Sequence, residues 1–130
     1  KSNDIDINEN LILKIEDTED FDHYIEELLQ NNEIEAIFAV NELFAVTALK
    51  IANKLGKSIP EDISIIGFTD GIISKYSTPS ITTVSQNGIK MGGKAAKMLI
   101  DRLESEDEEE EQYKTEVIET ELVERESTKS

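Results

Sequence analysis

Gly88, Gly93 and Lys94, within "NGIKMGGKAAK" (87–97), have the G-x-x-x-x-G-K spacing of a loop that wraps nucleotide phosphates, and the β-branched stretch "SITTV" precedes them. Such a loop needs glycine where the backbone folds around the anion, lysine for the outer phosphates, and a following Ser or Thr whose hydroxyl holds magnesium. Position 95 is Ala, which has no oxygen to offer. Ile89, Gly92, Ala96, Leu99 and Leu103 also recur at intervals of three and four, which is the pattern of a helix already running from near Asn87. Gly92 and Gly93 inside a helix cost about 1 kcal/mol each relative to Ala. Close approach of another element explains them better than phosphate does, and Lys94 and Lys97 are expected in solvent.

No other constellation carries a reaction. His23 stands between Asp22 and Tyr24 on a helical stretch, with no second His or Cys to share a metal. The carboxylates crowd into 104–111, where mutual repulsion favours a solvated chain and no calcium loop with a turn glycine is present. Asp70, after a strand, has the place of a receiver-domain phosphoacceptor. Asn41-Glu42 is a poor substitute for the acidic pair that reading needs, and no lysine follows a later strand. The serines have no partnering base. The expectation is a protein that is not an enzyme and uses no metal or cofactor.

The elements that position these residues alternate. "LILKI" (11–15) is a strand candidate. "DTEDFDHYIEELLQNN" follows as a helix capped by Asp17 or Thr18, with Phe21, Tyr24, Ile25, Leu28 and Leu29 on one face. "IEAIFAV" (34–40) is a buried-strand run, and 41–56 is a second helix with Asn41 at its cap and Gly56 at its stop. "ISIIGF" (63–68) is a third strand, "TDGIISKYSTPS" an irregular loop, and "ITTV" (81–84) a short extended piece. A helix then opens at Ser85 or Asn87 and reaches about Leu103. An acidic connector (105–112) leads to one or two half-exposed strands within 113–128. Alternating strand and helix predict an α/β fold with a parallel sheet. Ligands in such sheets sit at the carboxyl ends of strands, here Val40-Asn41-Glu42 and Phe68-Thr69-Asp70. The same residues serve equally as a helix cap and the start of a turn.

Composition narrows the partners. The 130 residues contain 13 Lys and Arg against 29 Asp and Glu, a formal net charge of -16, which repels a nucleic-acid backbone. There is no Cys, hence no disulfide or thiolate site. The apolar runs fall far short of the roughly 20 residues of a membrane span, and "KSNDIDINEN" has no apolar core of a signal peptide.

Five strings in order, "FAVNELFA", "GKSIPEDISIIGFTD", "PSITTVSQ", "MGGKAAKML" and "LVEREST", resemble the C-terminal half of the effector domain of LacI/GalR-type transcription regulators. The resemblance covers most of residues 34 to 128. It implies a partial periplasmic-binding-protein-like fold, in which two α/β lobes enclose a small ligand, often a sugar. Residues 11–72 would belong to the C-terminal lobe and 81–104 would be a crossover helix belonging to the N-terminal lobe. The resemblance also implies ligand contacts from Asn41 and Thr69, with Asp70 beside them and Gln86 near the cleft. Thr69 replaces the family's Asp, and Glu42 replaces the Asp that usually follows the Asn. Homodimers of the family use the helix matching Glu42–Leu55, here Val46, Leu49 and Lys50, and the loop carrying Ile72, Ile73 and Tyr76. Those three apolar residues could equally fold onto the chain's own core. A cytoplasmic sensor follows, coupled to DNA through a domain outside this chain, with a periplasmic sugar-binding transport protein as the alternative.

Overall fold

Phe21, Ile25 and Leu29 stand four residues apart and so share a helix face. In a computed structural model, which describes residues 6–15, 21–30, 33–105 and 114–129, that helix is α1 (Phe21–Gln30), with all three side chains buried. Tyr24 lies at its exposed rim. The expected caps, Asp17 and Thr18, lie outside the described residues, as does most of the acidic connector. Helix α2 (Glu42–Lys54) starts and stops where the sequence places its ends. The Asn41 side-chain oxygen accepts the Phe44 N–H at 2.9 Å, and Gly56 turns the chain with a φ of 74°.

Four strands form one sheet in the order β1 (Ala36–Ala39), β2 (Ser64–Phe68), β3 (Thr82–Ser85) and β4 (Glu121–Val123). The first three are parallel and β4 runs antiparallel to β3. Parallel neighbours need a crossover, supplied between β1 and β2 by α2 and between β2 and β3 by α3 (Ile72–Tyr76). Ala39, Ile63, Ile65 and Ile81 form the core with the inner faces of α1 and α2. The small residues Ala45, Ala48 and Ala52 bring α2 close to the sheet. A Cβ on Gly67 would stand 3.1 Å from that of Ala45, so this glycine is the one that admits the helix.

Several expectations change. The apolar alternation of 11–15 does not become a strand: Glu9–Leu11 forms a 3-10 turn and 12–15 join no ladder. Such a pattern becomes a strand only where an edge is available to pair, and a cavity of about 800 Å³ separates this segment from β1. Residues 34–40 are not buried throughout, since Phe38 is 59% and Val40 65% exposed. The loop expected after β2 contains the short helix α3. Residues 82–84 pair with Ile66–Phe68, so the start of the 81–104 segment is a strand of this sheet and its helix begins only at Gly88.

Helix α4 (Gly88–Glu104) runs where the stride of three and four puts it, and its backbone is helical from Gly88, with no wrapping loop. It buries no residue, and Ile89, Leu99 and Leu103 are exposed. Gly92 and Gly93 admit no close neighbour, because nothing among the described residues lies within 4 Å of a Cβ placed on either. Lys94 is paired with Glu116 at 3.1 Å and Lys97 with Asp101 at 3.6 Å.

The candidate ligand edge

Because β1, β2 and β3 are parallel, their carboxyl ends open on one edge of the sheet. Asn41 follows β1, Thr69 and Asp70 follow β2, and Gln86 follows β3. The capping bond fixes how Asn41 is oriented. Its oxygen must face the Phe44 N–H, which leaves the amide Nδ2 as the end able to donate outward.

Thr69 has a φ of 84°, a left-handed conformation that a β-branched residue rarely adopts. Its neighbours hold it there. Its N–H donates to the Val84 carbonyl at 3.0 Å, and its hydroxyl oxygen accepts from Gln86 Nε2 at 3.0 Å. The structure thus brings Thr69 and Gln86 together across 17 residues of sequence.

Asp70 turns away from that pair. Its Oδ1 accepts from Thr83 Oγ1 at 2.9 Å and from the Arg125 guanidinium at 2.6 Å. Burial opposes ionisation, but the hydrogen bonds from Arg125 and Thr83 and the charges of Arg125 and Lys75 outweigh it, holding this carboxyl below the ordinary aspartate range. Asp70 therefore braces the edge, and its charge is matched from behind. Arg125 also donates to the Ile81 carbonyl at 2.8 Å and to Thr83 Oγ1 at 3.1 Å. The next residues continue the attachment. Glu126 accepts from the Ser80 N–H and hydroxyl, both at 2.8 Å, and Ser127 is buried between the starts of β2 and β3.

Arg125 and Glu126 are the neighbours of this edge that sequence reasoning missed. "LVEREST" flagged their segment, but an Arg whose carboxylate lies 55 positions away has no local signature. The residues expected at a partner surface divide. Ile72, Ile73 and Tyr76 stand out on α3, with Ile72 72% and Tyr76 71% exposed, so they do not fold onto the chain's own core. Leu49, in contrast, is only 7% exposed within that core and cannot face a partner. Val46 packs partly against the same cluster, and Lys50 is paired with Asp22 of α1 at 3.1 Å.

A family model described as a periplasmic binding protein-like domain matches residues 6–128. The transcriptional regulator MalR of Clostridium butyricum is 37% identical over 127 residues, which are 96% of this chain and 37% of that protein. The chain thus spans well under half the length of the curated relatives it matches. A putative LacI-family regulator from Sanguibacter keddieii superposes with a TM-score of 0.84 at 27% identity, covering 95% of this chain and 48% of that one. A LacI-family regulator from Enterococcus faecium, solved with bound ribose, superposes with a TM-score of 0.72 at 30% identity over 82% of this chain and 39% of its own.

Proposed function

The chain belongs to the periplasmic-binding-protein-like family, in its LacI-type regulator branch, and on that premise we propose that it is most of the C-terminal lobe of a small-molecule sensor in a transcription regulator. The carrying observation is the uncharged character of the ligand edge. Asn41, Thr69 and Gln86 offer neutral donors and acceptors, while the one carboxylate among the expected contacts, Asp70, is matched by Arg125. Such an edge suits a neutral polyhydroxylated molecule, whose hydroxyls both give and take hydrogen bonds. The ribose-bound relative supports that ligand class.

The ligand would sit between this lobe and a second one to which α4 crosses, its exposed apolar stripe forming the near side of the join. Tighter binding to one lobe arrangement would shift the equilibrium toward it, and linkage would carry that shift to DNA binding elsewhere in the protein. The net charge of -16 fits a division of labour in which DNA is held by another domain. The sensor would act as a homodimer in the cytoplasm, without catalysis and without a cofactor. The relatives are regulators, and no observation favours the transport alternative.

Thermal-shift screening of the full-length protein against pentoses, hexoses, disaccharides and nucleosides tests this reading. A ligand at 100 times its Kd adds about 2.7 kcal/mol of stability, so a clear upward shift with at least one neutral sugar is expected. Stabilisation by anionic metabolites alone would contradict the neutral-ligand assignment.

A further inference from the structure

Glu42 opens α2 directly after Asn41, yet its carboxylate is committed to a different helix. Its Oε1 accepts the Ser74 N–H at 2.8 Å, 32 residues along the chain. Ser74 is the third residue of α3, whose first-turn N–H groups have no intrahelical acceptor. The residue at the N-cap of α3 is Gly71, which has no side chain to satisfy them. Glu42 thus supplies from α2 the acceptor that a Ser, Thr or Asp cap would supply locally. The need for glycine at 71 follows from the same contact. Its φ of -94° suits any residue, but a Cβ there would collide with both oxygens of the Glu42 carboxylate. Glu42 and Gly71 therefore form one fitted pair, and the carbonyl of the fully buried Ser74 accepts the Ile81 N–H at 2.9 Å, tying the inner side of α3 to the start of β3.

This clasp lies between two regions of interest. Asn41 precedes Glu42, and Thr69-Asp70 precede Gly71, so both ends of the clasp are one or two residues from the proposed ligand contacts. On the far side, α3 carries the exposed Ile72, Ile73 and Tyr76. We infer that Glu42 is a positioning residue: by capping α3 across the gap it sets the apolar face through which two copies of the chain associate. The part concerning association rests on the sensor reading above, whereas the capping part does not.

The test uses the full-length protein, with hydrogen exchange at the Ser74 amide and self-association by sedimentation equilibrium. Glu42→Ala should speed Ser74 exchange and weaken self-association, each about tenfold, the measure of one hydrogen bond to a charged group. The Phe44 amide, capped by Asn41, should keep its protection. Glu42→Gln, which retains an acceptor and the shape, should keep Ser74 exchange within about threefold of wild type, and it decides the question should the alanine variant fail to fold. Gly71→Ala should match the Glu42→Ala defect in the wild-type background and be nearly silent in the Glu42→Ala background, since the colliding carboxylate is then gone. Unchanged Ser74 exchange in Glu42→Ala, or a Gly71→Ala effect equal in both backgrounds, overturns the inference. Ile73→Asp separates the two readings. If it leaves self-association intact, the α3 surface is not the interface, while the exchange and double-variant results still decide whether Glu42 caps α3.

Discussion

Arg125 holds three oxygens from three places in the chain: Asp70 Oδ1, the Ile81 carbonyl and Thr83 Oγ1. It is mostly buried, and so is the carboxylate it meets, with side-chain exposures of 15% and 26%. Arg125→Met keeps the aliphatic stem but removes every donor, leaving Asp70 without its counter-charge. The expected loss is about 2 kcal/mol in urea unfolding with an unchanged denaturant slope, in line with hydrogen bonds to charged groups. The pH dependence has a definite sign. Because the folded carboxyl is held low, the unfolded chain takes up its proton first as pH falls. The contribution of the pair is therefore complete above the ordinary aspartate range and vanishes as pH drops through the lowered folded value. The stability difference between wild type and Arg125→Met should be flat near neutrality and shrink only in acid. A difference that persisted undiminished through acid pH would show that Asp70 is not the group involved. Asn41 makes a complementary case, since Asn41→Ser keeps a capping oxygen and should cost only a few tenths of a kcal/mol, while losing the outward Nδ2 donor.

The elements were legible to the degree that their signals are local. Helix α2 shows both its ends in sequence, because Asn41 and Gly56 act on residues within one turn. The stride of Ile89, Leu99 and Leu103 likewise places α4 even though the helix buries none of its residues. What failed depended on partners distant in the chain. "LILKI" has strand composition but no ladder, and the short α3, which replaces the expected loop, has its Ser74 N–H capped by a carboxylate of α2 that no local pattern could reveal. At the ligand edge, Asn41, Thr69 and Gln86 could be found as polar residues after strands. The fixing of Asp70 by Arg125 could not, since a lone arginine in a charged tail resembles any solvated residue. The α4 glycines lead to a prediction at this scale. With no neighbour within 4 Å, Gly92→Ala in this 130-residue chain should stabilise the helix by about 1 kcal/mol, read as increased helical ellipticity. In the full-length protein the same substitution should stabilise less or destabilise, because a lobe packed on this face would meet the new methyl. Equal stabilisation in both contexts would mean that α4 stays uncovered.

As a whole, the chain is a sheet with a candidate ligand edge at its carboxyl ends and two exposed apolar surfaces, the stripe on α4 and the residues Ile72, Ile73 and Tyr76 of α3. The tail binds the parts together, since β4 pairs with β3 while Arg125, Glu126 and Ser127 tie its end to β2, β3 and the turn between them. The central claim is that this edge recognises a neutral polyhydroxylated ligand through Asn41, Thr69 and Gln86. Isothermal titration calorimetry of the full-length protein with the best sugar from the thermal screen, repeated on Asn41→Ser and Gln86→Leu, tests it most directly. The account predicts saturable binding by the wild type, weakened at least about tenfold in each variant, the measure of one lost hydrogen bond to a buried ligand, with folding intact. Undiminished binding in both variants would contradict it.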